Sequence, residues 1–195
     1  IESALRPHSR SSKGAVGFWQ FISSTGRRYG LRIDSKMDER RNLIKSTQAA
    51  CKYLDKLQKQ FGSSLLAMAA YNMGEEGLEA QILEQGIRDY YRLYLSLETQ
   101  RFIFRILAIK KIVNAPHEYG FHLTPADFYR PLSSQTVRIT AIDDLPIRLI
   151  ARAAKTDFKT IKDLNPEVRG HYLVAGTRQL AVPEEGRKGF EERLT

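Results

Sequence analysis

The chain has 195 residues, of which 42% are hydrophobic and 27% charged, and this composition excludes a wholly disordered protein. No apolar run reaches the roughly 18 residues that a membrane-spanning helix needs. Lysine and arginine total 31 against 22 aspartates and glutamates, and the net charge of +9 favours an anionic partner. The basic residues form no run longer than a pair, so we expect no nucleic-acid partner.

Helical periodicity is clear from Asn42 to Phe61, where apolar residues recur every three or four positions. Asn42 or Ser46 is predicted to cap this helix, and Gly62 to end it. Its single cysteine, Cys51, is predicted to be a small buried thiol. The four histidines lack the spacing of zinc ligands, so no zinc site is predicted.

Three further helices are predicted before residue 120. The segment SSLLAMAAYNMG is apolar nearly all round and is therefore a buried helix that stops at Gly74. A shorter helix covers about Glu75–Leu83. The last one spans Glu98–Asn114 before Pro116 stops it. Its apolar stripe comprises Phe102, Ile106, Ile109 and Val113, and Ile103 and Leu107 widen it.

The pattern changes after Gly120, where residues 121–135 carry two prolines and no helical period, which is typical of a linker. Alternating apolar residues then predict a strand at Val137–Ala141 and a second at Gln179–Val182. Between them, Leu145–Ala154 and Phe158–Leu164 read as helices. The predicted fold class is mainly α, with a small β-α-α-β domain at residues 136–195.

The first thirty residues combine many glycines with short polar side chains and aromatic rings. Such a segment favours a shaped loop around a ligand. Pyranose rings stack on aromatic faces, and their hydroxyls need short polar donors and acceptors. The composition of this segment therefore suits a sugar.

Seven sequence blocks in a fixed order carry a resemblance over about the first 120 residues. They are Glu2-Ser3, Ser11-x-x-Gly14-Ala15-x-Gly17-Phe18-Trp19-Gln20-Phe21, Ser24-Thr25-Gly26, Tyr29-Gly30-Leu31, Asp38-Glu39-Arg40-Arg41, Ala69-Ala70-Tyr71-Asn72-x-Gly74 and Glu98-Thr99. In these blocks the chain resembles the lytic murein transglycosylases, in particular their membrane-bound type D branch. The resemblance implies a goose-lysozyme-like helical catalytic domain at residues 1–120.

The same resemblance assigns roles to individual residues. Glu2 matches the single catalytic acid/base of the family. The residues that match its substrate-binding or orienting positions are Ser11, Gln20, Tyr71, Asn72 and Glu98. Two positions depart from the family pattern, since Ile22-Ser23 replaces a usual Met-Pro and Phe102 replaces a tyrosine. Each matched residue also has an ordinary structural role available to it: Ser11 and Gln20 in loop hydrogen bonding, Tyr71 in the core.

The implied chemistry needs one carboxylate, whereas ordinary glycosidases need two. Glu2 would protonate the oxygen that links N-acetylmuramic acid to N-acetylglucosamine, while the N-acetyl carbonyl stabilises the anomeric carbon. The deprotonated Glu2 would then take the proton of the sugar's own C6 hydroxyl, which attacks to form a 1,6-anhydro ring. No metal or cofactor is expected.

Residues 136–183 resemble a degenerate LysM-like module through Asp144-Leu145, Ile150-Ala151, Leu164-Asn165-Pro166 and Leu180-x-Val182-Pro183. The family resemblance further implies a monomer that acts on peptidoglycan glycan strands in the periplasm. It also implies that the chain is a fragment of a longer protein, held at the outer membrane by a lipoprotein anchor that this chain lacks.

Two alternatives remain open at this point. A lysozyme-type hydrolase on the same scaffold would resolve the intermediate with water, and Glu98 is the carboxylate that could hold it. A catalytically silent peptidoglycan-binding module is the second alternative.

Overall fold

The structure is a computed structural model that describes residues 1–129 and 133–194, and it divides into two compact units. The helical unit comprises residues 48–129 with Ile1, and the mixed unit comprises residues 2–47 with the described residues from 133 onward. The predicted linker, residues 121–135, includes residues 130–132, which lie outside the described residues. The functional division into 1–120, 121–135 and 136–195 stays a prediction.

Four helices form most of the helical unit, and all four were predicted from the sequence. They are α2 (Leu43–Phe61), which starts in the mixed unit, α3 (Ser64–Met73), α4 (Glu75–Gln85) and α5 (Leu97–Asn114). Short 3-10 turns follow at Pro116–Tyr119 and Pro125–Asp127. None of the described helices is both long enough and apolar enough to cross a membrane.

The apolar face of α2 explains why it folds as predicted. Tyr53, Leu57 and Phe61 are buried at the predicted helical spacing. At the start of the helix, the Asn42 Oδ1 atom accepts a hydrogen bond from the Lys45 backbone N–H at 2.9 Å, so Asn42 is the cap.

The burial prediction for Cys51 is wrong. Cys51 lies on α2 but is exposed, because it falls outside the apolar stripe of that helix. The apolar stripe of α5 is buried only in part, since Phe102 is buried whereas Ile109 and Val113 are 48% and 70% exposed. The partner helix α3 is about 15 Å long and α5 about 27 Å, so α3 covers only part of its length.

The mixed unit begins with the helix α1 (Ser23–Arg28) and a 3-10 turn at Glu39–Arg41. Its remaining elements are β1 (Ser134–Ala141), β2 (Leu145–Pro146), α6 (Ile147–Ala153), α7 (Phe158–Leu164), β3 (Tyr172–Leu173), β4 (Gly176–Pro183), α8 (Glu184–Arg187) and α9 (Phe190–Leu194). Strands β1 and β4 pair antiparallel with Val137 opposite Leu180, and β2 pairs antiparallel with β3. The predicted order of strand, two helices and strand is present in β1, α6, α7 and β4, and the described chain is mainly helical. The short strands β2 and β3 were not predicted, and the prediction that the first helix begins at Leu145 is wrong, because Leu145 and Pro146 pair with β3 as a strand.

One apolar core joins the two halves of the mixed unit. Val137, Leu180 and the helix residues Ile147, Ile150 and Ile161 form its centre. Met37, from the N-terminal half of the sequence, is buried in the same core.

Backbone hydrogen bonds continue this contact on both sides of Met37. The Asp38 N–H donates to the Glu167 carbonyl oxygen at 2.8 Å, and the Arg169 N–H donates to that of Lys36 at 2.9 Å. Residues 36–38 are thus part of the same packed structure as residues 167–169.

Candidate active site

The segment that carries Glu2 is fixed by hydrogen bonds of its neighbour Ser3. Glu2 is half-buried and lies outside any helix, and Ser3 is buried. The Ser3 hydroxyl donates to the Phe18 carbonyl oxygen at 3.0 Å. Ala4 and Leu5 follow with φ angles of 50° and 59°, left-handed values that non-glycine residues rarely adopt. The turn after Glu2 is therefore strained and held by its surroundings.

The loop of residues 9–21, named the Gly17 loop, contains both predicted binding residues of the mixed unit. The Gln20 amide nitrogen donates to the carbonyl oxygens of Gly17 at 2.8 Å and Ser9 at 3.2 Å. The Ser11 hydroxyl accepts from the Ala15 N–H at 3.1 Å. Gln20 and Ser11 thus shape this loop through contacts with its own backbone.

Gly17 itself lies against the backbone of Arg40. Its φ angle is 86°, and a Cβ atom at this position would lie 1.9 Å from the Arg40 carbonyl oxygen. Only glycine fits here, both for its backbone conformation and for this close approach.

A buried ion pair between Arg40 and Asp38 holds the Gly17 loop in place. Arg40 Nη1 donates to the carbonyl oxygens of Gly14 at 3.2 Å and Phe21 at 3.0 Å, and the same guanidinium pairs with the Asp38 carboxylate. Burial by itself raises the pKa of the Asp38 carboxyl, but the hydrogen bonds and charge of Arg40, with the charge of Arg41, outweigh burial and lower the pKa. Asp38 is therefore an anion that fixes Arg40.

The two aromatic side chains of the loop differ in their surroundings. Phe21 is buried. Trp19 is half-buried, and its indole N–H donates to the Thr47 hydroxyl at 2.8 Å. The indole ring is thereby held in one orientation.

In the helical unit, the other three predicted residues lie at the facing ends of two helices. Tyr71 and Asn72 lie in the last turn of α3, and Glu98 lies, exposed, in the first turn of α5. The Thr99 hydroxyl donates to Asn72 Oδ1 at 3.0 Å, which brings Asn72 beside the start of α5. The Tyr71 ring packs on that of Tyr53, with 5.4 Å between the ring centroids.

The sequence blocks contained two residues whose function the pattern could not reveal. Arg40 and Thr99 lie inside matched blocks, yet only the structure identifies them as the groups that position the Gly17 loop and Asn72. Among the described residues, no cluster of histidine, cysteine, aspartate or glutamate could hold a metal ion.

Comparison with known proteins gives a family match for the N-terminal part of the chain. Residues 1–93 match the family described as Transglycosylase SLT domain. The matched segment includes Glu2, the Gly17 loop and the whole of α3. The resemblance predicted from the seven blocks is confirmed.

The similarity to individual relatives extends further along the chain. Over 200 residues, and over all of this chain, it is 34% identical to the membrane-bound lytic murein transglycosylase D of two Escherichia coli strains, and it spans 43% of their length. A stretch covering 49% of the chain is 36% identical to the peptidoglycan transglycosylase gp16 of Escherichia phage T7, of which it covers 8%. The chain thus spans less than half of the curated relatives it matches.

Proposed function

We propose that this chain carries the catalytic domain of a peptidoglycan lytic transglycosylase. The reaction cleaves the β-1,4 bond between N-acetylmuramic acid and N-acetylglucosamine and leaves a 1,6-anhydro end. The observation that carries the proposal is the match of residues 1–93 to the transglycosylase SLT domain. The murein transglycosylases that are similar over the whole chain support the same substrate.

Glu2 is the proposed acid and base of both half-reactions. Its carboxyl proton goes to the glycosidic oxygen as the bond to the anomeric carbon breaks, and the N-acetyl carbonyl oxygen supports the positive charge. The carboxylate then removes the C6 hydroxyl proton as that oxygen bonds to the anomeric carbon. The nucleophile is already part of the substrate, which favours it over water once the sugar is held in position.

The other matched residues are proposed to bind or orient the sugar. In the Gly17 loop, Ser11 and Gln20 fix the backbone that would face the substrate, and their contacts support an orienting role. Tyr71, Asn72 and Glu98 are proposed to bind substrate from the ends of α3 and α5. The contact between Thr99 and Asn72 supports a fixed position for that amide.

The C-terminal part of the mixed unit is proposed to be a LysM-like module, with residues 121–135 as the linker before it. Its β-α-α-β order and the antiparallel pairing of β1 with β4 support this assignment. We further propose a monomer at the cell envelope, anchored to the outer membrane through a lipid. The words "membrane-bound" in the names of the relatives support association with a membrane.

Analysis of the products tests the proposed reaction directly. Purified murein digested by the protein should release muropeptides with 1,6-anhydro-N-acetylmuramic acid ends, lighter by one water than hydrolytic products and resistant to borohydride reduction. Mass spectrometry distinguishes the two. Reducing muropeptides would instead identify a lysozyme-type hydrolase, and binding without any product would identify a silent binding module.

A further inference from the structure

Four cationic side chains from three segments of the mixed unit lie near one another beside the Gly17 loop. We name them the Arg41 patch, and they are Arg10, Arg41, Lys162 and Arg169. Arg10 and Arg169 are exposed, and Arg41 and Lys162 are half-buried. None of the four has a role in the proposed reaction.

Backbone contacts place Arg10 beside Arg41. A Cβ atom on Gly17 would lie only 3.1 Å from the Arg41 backbone nitrogen. The Gly17 N–H donates to the Ser9 carbonyl oxygen at 3.1 Å. Arg10 therefore follows a residue that is held close to the turn at Glu39–Arg41.

The other two cations come from the C-terminal part of the mixed unit. The Arg169 N–H donates to the Lys36 carbonyl oxygen at 2.9 Å, which holds Arg169 near the same turn. The Lys162 ammonium donates to the Gly170 carbonyl oxygen at 2.9 Å, so it lies next to Arg169.

The charges of the Arg41 patch act on one another. Burial lowers the pKa of the Arg41 guanidinium, the charge of Asp38 raises this pKa, and the charges of Arg169 and Arg10 lower it further, together with that of Arg40. The pKa of Lys162 is lowered by burial and then by the charge of Arg41. Cations that lower the pKa of one another repel, and an anion bound among them would relieve that repulsion.

The carboxylates nearest to Arg41 and Lys162 are already paired with other cations. Arg40 binds both oxygens of Asp38, whereas Arg41 Nε lies 3.9 Å from one of them. The Asp163 carboxylate pairs with the Lys159 ammonium. These carboxylates therefore leave the charge of the Arg41 patch largely uncompensated.

One further carboxylate, that of Glu167, lies within the fold. It is buried, and its Oε1 atom accepts from the Asn42 amide at 2.8 Å. Its charge raises the pKa of Lys162, but by less than burial and Arg41 lower it. Across residues 1–129 and 133–194, no carboxylate forms an ion pair with Arg10, Lys162 or Arg169. The patch thus has an excess of positive charge that faces solvent at Arg10 and Arg169.

The Arg41 patch also lies close to the turn that follows Glu2. The Ser9 hydroxyl donates to the Ser3 carbonyl oxygen at 3.2 Å, which holds the start of the Gly17 loop against that turn. His8, the residue before Ser9, is exposed, and its Nδ1 atom lies 3.4 Å from Arg41 Nη1. A ligand held by Glu2 would therefore have the patch beside it.

We propose that the Arg41 patch binds carboxylates of the peptide stems that murein carries on its muramic acid residues. This inference rests on the proposed function, because the patch lies beside the turn of Glu2 and the loop that would face the glycan. A sugar whose lactyl group carries a stem is itself uncharged, so the anions of the strand are those of its stems. Guanidinium groups bind carboxylates through charge-assisted hydrogen bonds.

A peptide titration on the unaltered protein is the first test. The probes are an N-acetylated stem peptide and the same peptide with its carboxylates converted to amides. The acidic peptide should bind about tenfold or more tightly than the amidated one, since the latter has no charge for the guanidinium groups. Binding should weaken as salt is added. Chemical shifts of backbone amides locate the contact and should change at residues 8, 10, 41 and 169.

Paired variants then assign the binding to the patch. The double variant Arg10→Glu with Arg169→Glu should weaken binding of the acidic peptide by about tenfold or more. The double variant Arg148→Glu with Arg152→Glu is the matched control. It makes the same change of charge at two exposed arginines of α6, outside the patch. Its affinity should stay within about twofold of the parent.

A kinetic arm connects the patch to murein cleavage. The parent should prefer strands that carry stems over strands stripped of them, measured as the ratio of the two kcat/KM values. In Arg169→Glu this ratio should fall by about threefold or more, and in Arg152→Glu it should equal that of the parent.

Several results would overturn the inference. One is equal binding of the acidic and amidated peptides, and another is no binding of either. Equal losses in the two double variants would assign the effect to net charge alone. Duplex DNA or anionic lipid vesicles that bind more tightly than the peptide, with binding lost in the patch variant, would assign the patch to that other partner.

The peptide titration separates this inference from the proposed function. It involves no turnover and uses the unaltered protein, so it decides the question even where murein is not cleaved or a variant fails to fold. Peptide binding without murein cleavage would overturn the proposed function alone.

Discussion

Arg40 holds both carboxylate oxygens of Asp38, with 2.8 Å from Nε to Oδ1 and 2.9 Å from Nη2 to Oδ2. Both residues are buried, so each depends on the other for compensation of its charge. The third guanidinium nitrogen is thereby directed at the Gly17 loop. The position of that loop thus depends on an ion pair made by a different part of the sequence.

Replacing Arg40 by lysine should destabilise the protein by about 2 kcal/mol or more, since one ammonium cannot form the paired contact and also reach two carbonyl oxygens. Chemical denaturation measures the change. Arg27→Lys is the control, because Arg27 is exposed and makes one backbone hydrogen bond. The Arg27→Lys substitution should change the free energy of unfolding by no more than about 0.5 kcal/mol. If the two variants lost the same free energy of unfolding, Arg40 would not hold the Gly17 loop in place.

Gly17→Ala should cost about 2 kcal/mol or more, because the new Cβ atom would meet the Arg40 carbonyl oxygen in a backbone conformation that alanine disfavours. Gly14→Ala separates the two causes. Gly14 also has a positive φ, 78°, but open space where its Cβ would be. The Gly14→Ala variant should lose only about 1 to 2 kcal/mol of stability. Thermal unfolding of the two variants measures the difference. If both variants lost the same stability, the close approach of Gly17 to the Arg40 carbonyl oxygen would contribute nothing to the cost.

Thr99→Val should weaken the helical unit by about 1 to 2 kcal/mol, because Thr99 is buried and the half-buried Asn72 loses the donor to its Oδ1 atom. On the proposed function, murein cleavage should also fall, since the position of Asn72 depends on that hydrogen bond. Thr99→Ser keeps the hydroxyl and should recover both properties. Valine has the shape of threonine, so a valine variant with the stability and activity of the parent would contradict the role of the hydroxyl.

Glu167→Gln should raise the melting temperature at neutral pH. Burial raises the pKa of this carboxyl, so its contribution to stability is present at acidic pH and is lost as the pH rises through the raised pKa. Glutamine keeps an acceptor for Asn42 and has no charge to bury. The difference in melting temperature, variant minus parent, should therefore grow from acidic to neutral pH. A constant difference across this range would contradict the prediction.

Glu2→Gln should keep murein binding and abolish anhydro-muropeptide release, because the amide can neither donate a proton to the glycosidic oxygen nor accept one. Sedimentation with insoluble murein measures binding, and mass spectrometry measures the product. Glu118→Gln, a change at an exposed glutamate outside the matched blocks, is the control and should match the parent. Residual activity within about tenfold of the parent, roughly 1.4 kcal/mol in the barrier, would place the acid elsewhere, with Glu98 the first candidate.

Local pattern predicted the elements of this fold well. The helices α2 to α5 and the pair α6 and α7 follow from apolar spacing along a single segment, and strands β1 and β4 from alternation. Burial was less predictable. Val113 fits the apolar stripe of α5 but is exposed, because a stripe is buried only where another element lies over it.

Contacts between distant parts of the sequence could not be predicted from local sequence patterns. The Asp38-Glu39-Arg40-Arg41 block was recognised by resemblance, yet Arg40 acts on carbonyl oxygens 19 and 26 residues away. Glu167 was not singled out from the sequence, and the structure buries it against Asn42, 125 residues away. Periodicity carries no information on such pairings.

The position of Met37 in the core of the mixed unit has a consequence for biosynthesis. That unit is discontinuous in sequence, with the whole of residues 48–129 between its two halves. On the ribosome, residues 48–129 emerge and can fold before residues 133–194 exist. Met37 and the backbone partners of Lys36 and Asp38 must wait for those later residues. The hydrogen bonds of Arg40 to the Gly17 loop join residues 14–40 alone, so they can form before the helical unit has emerged.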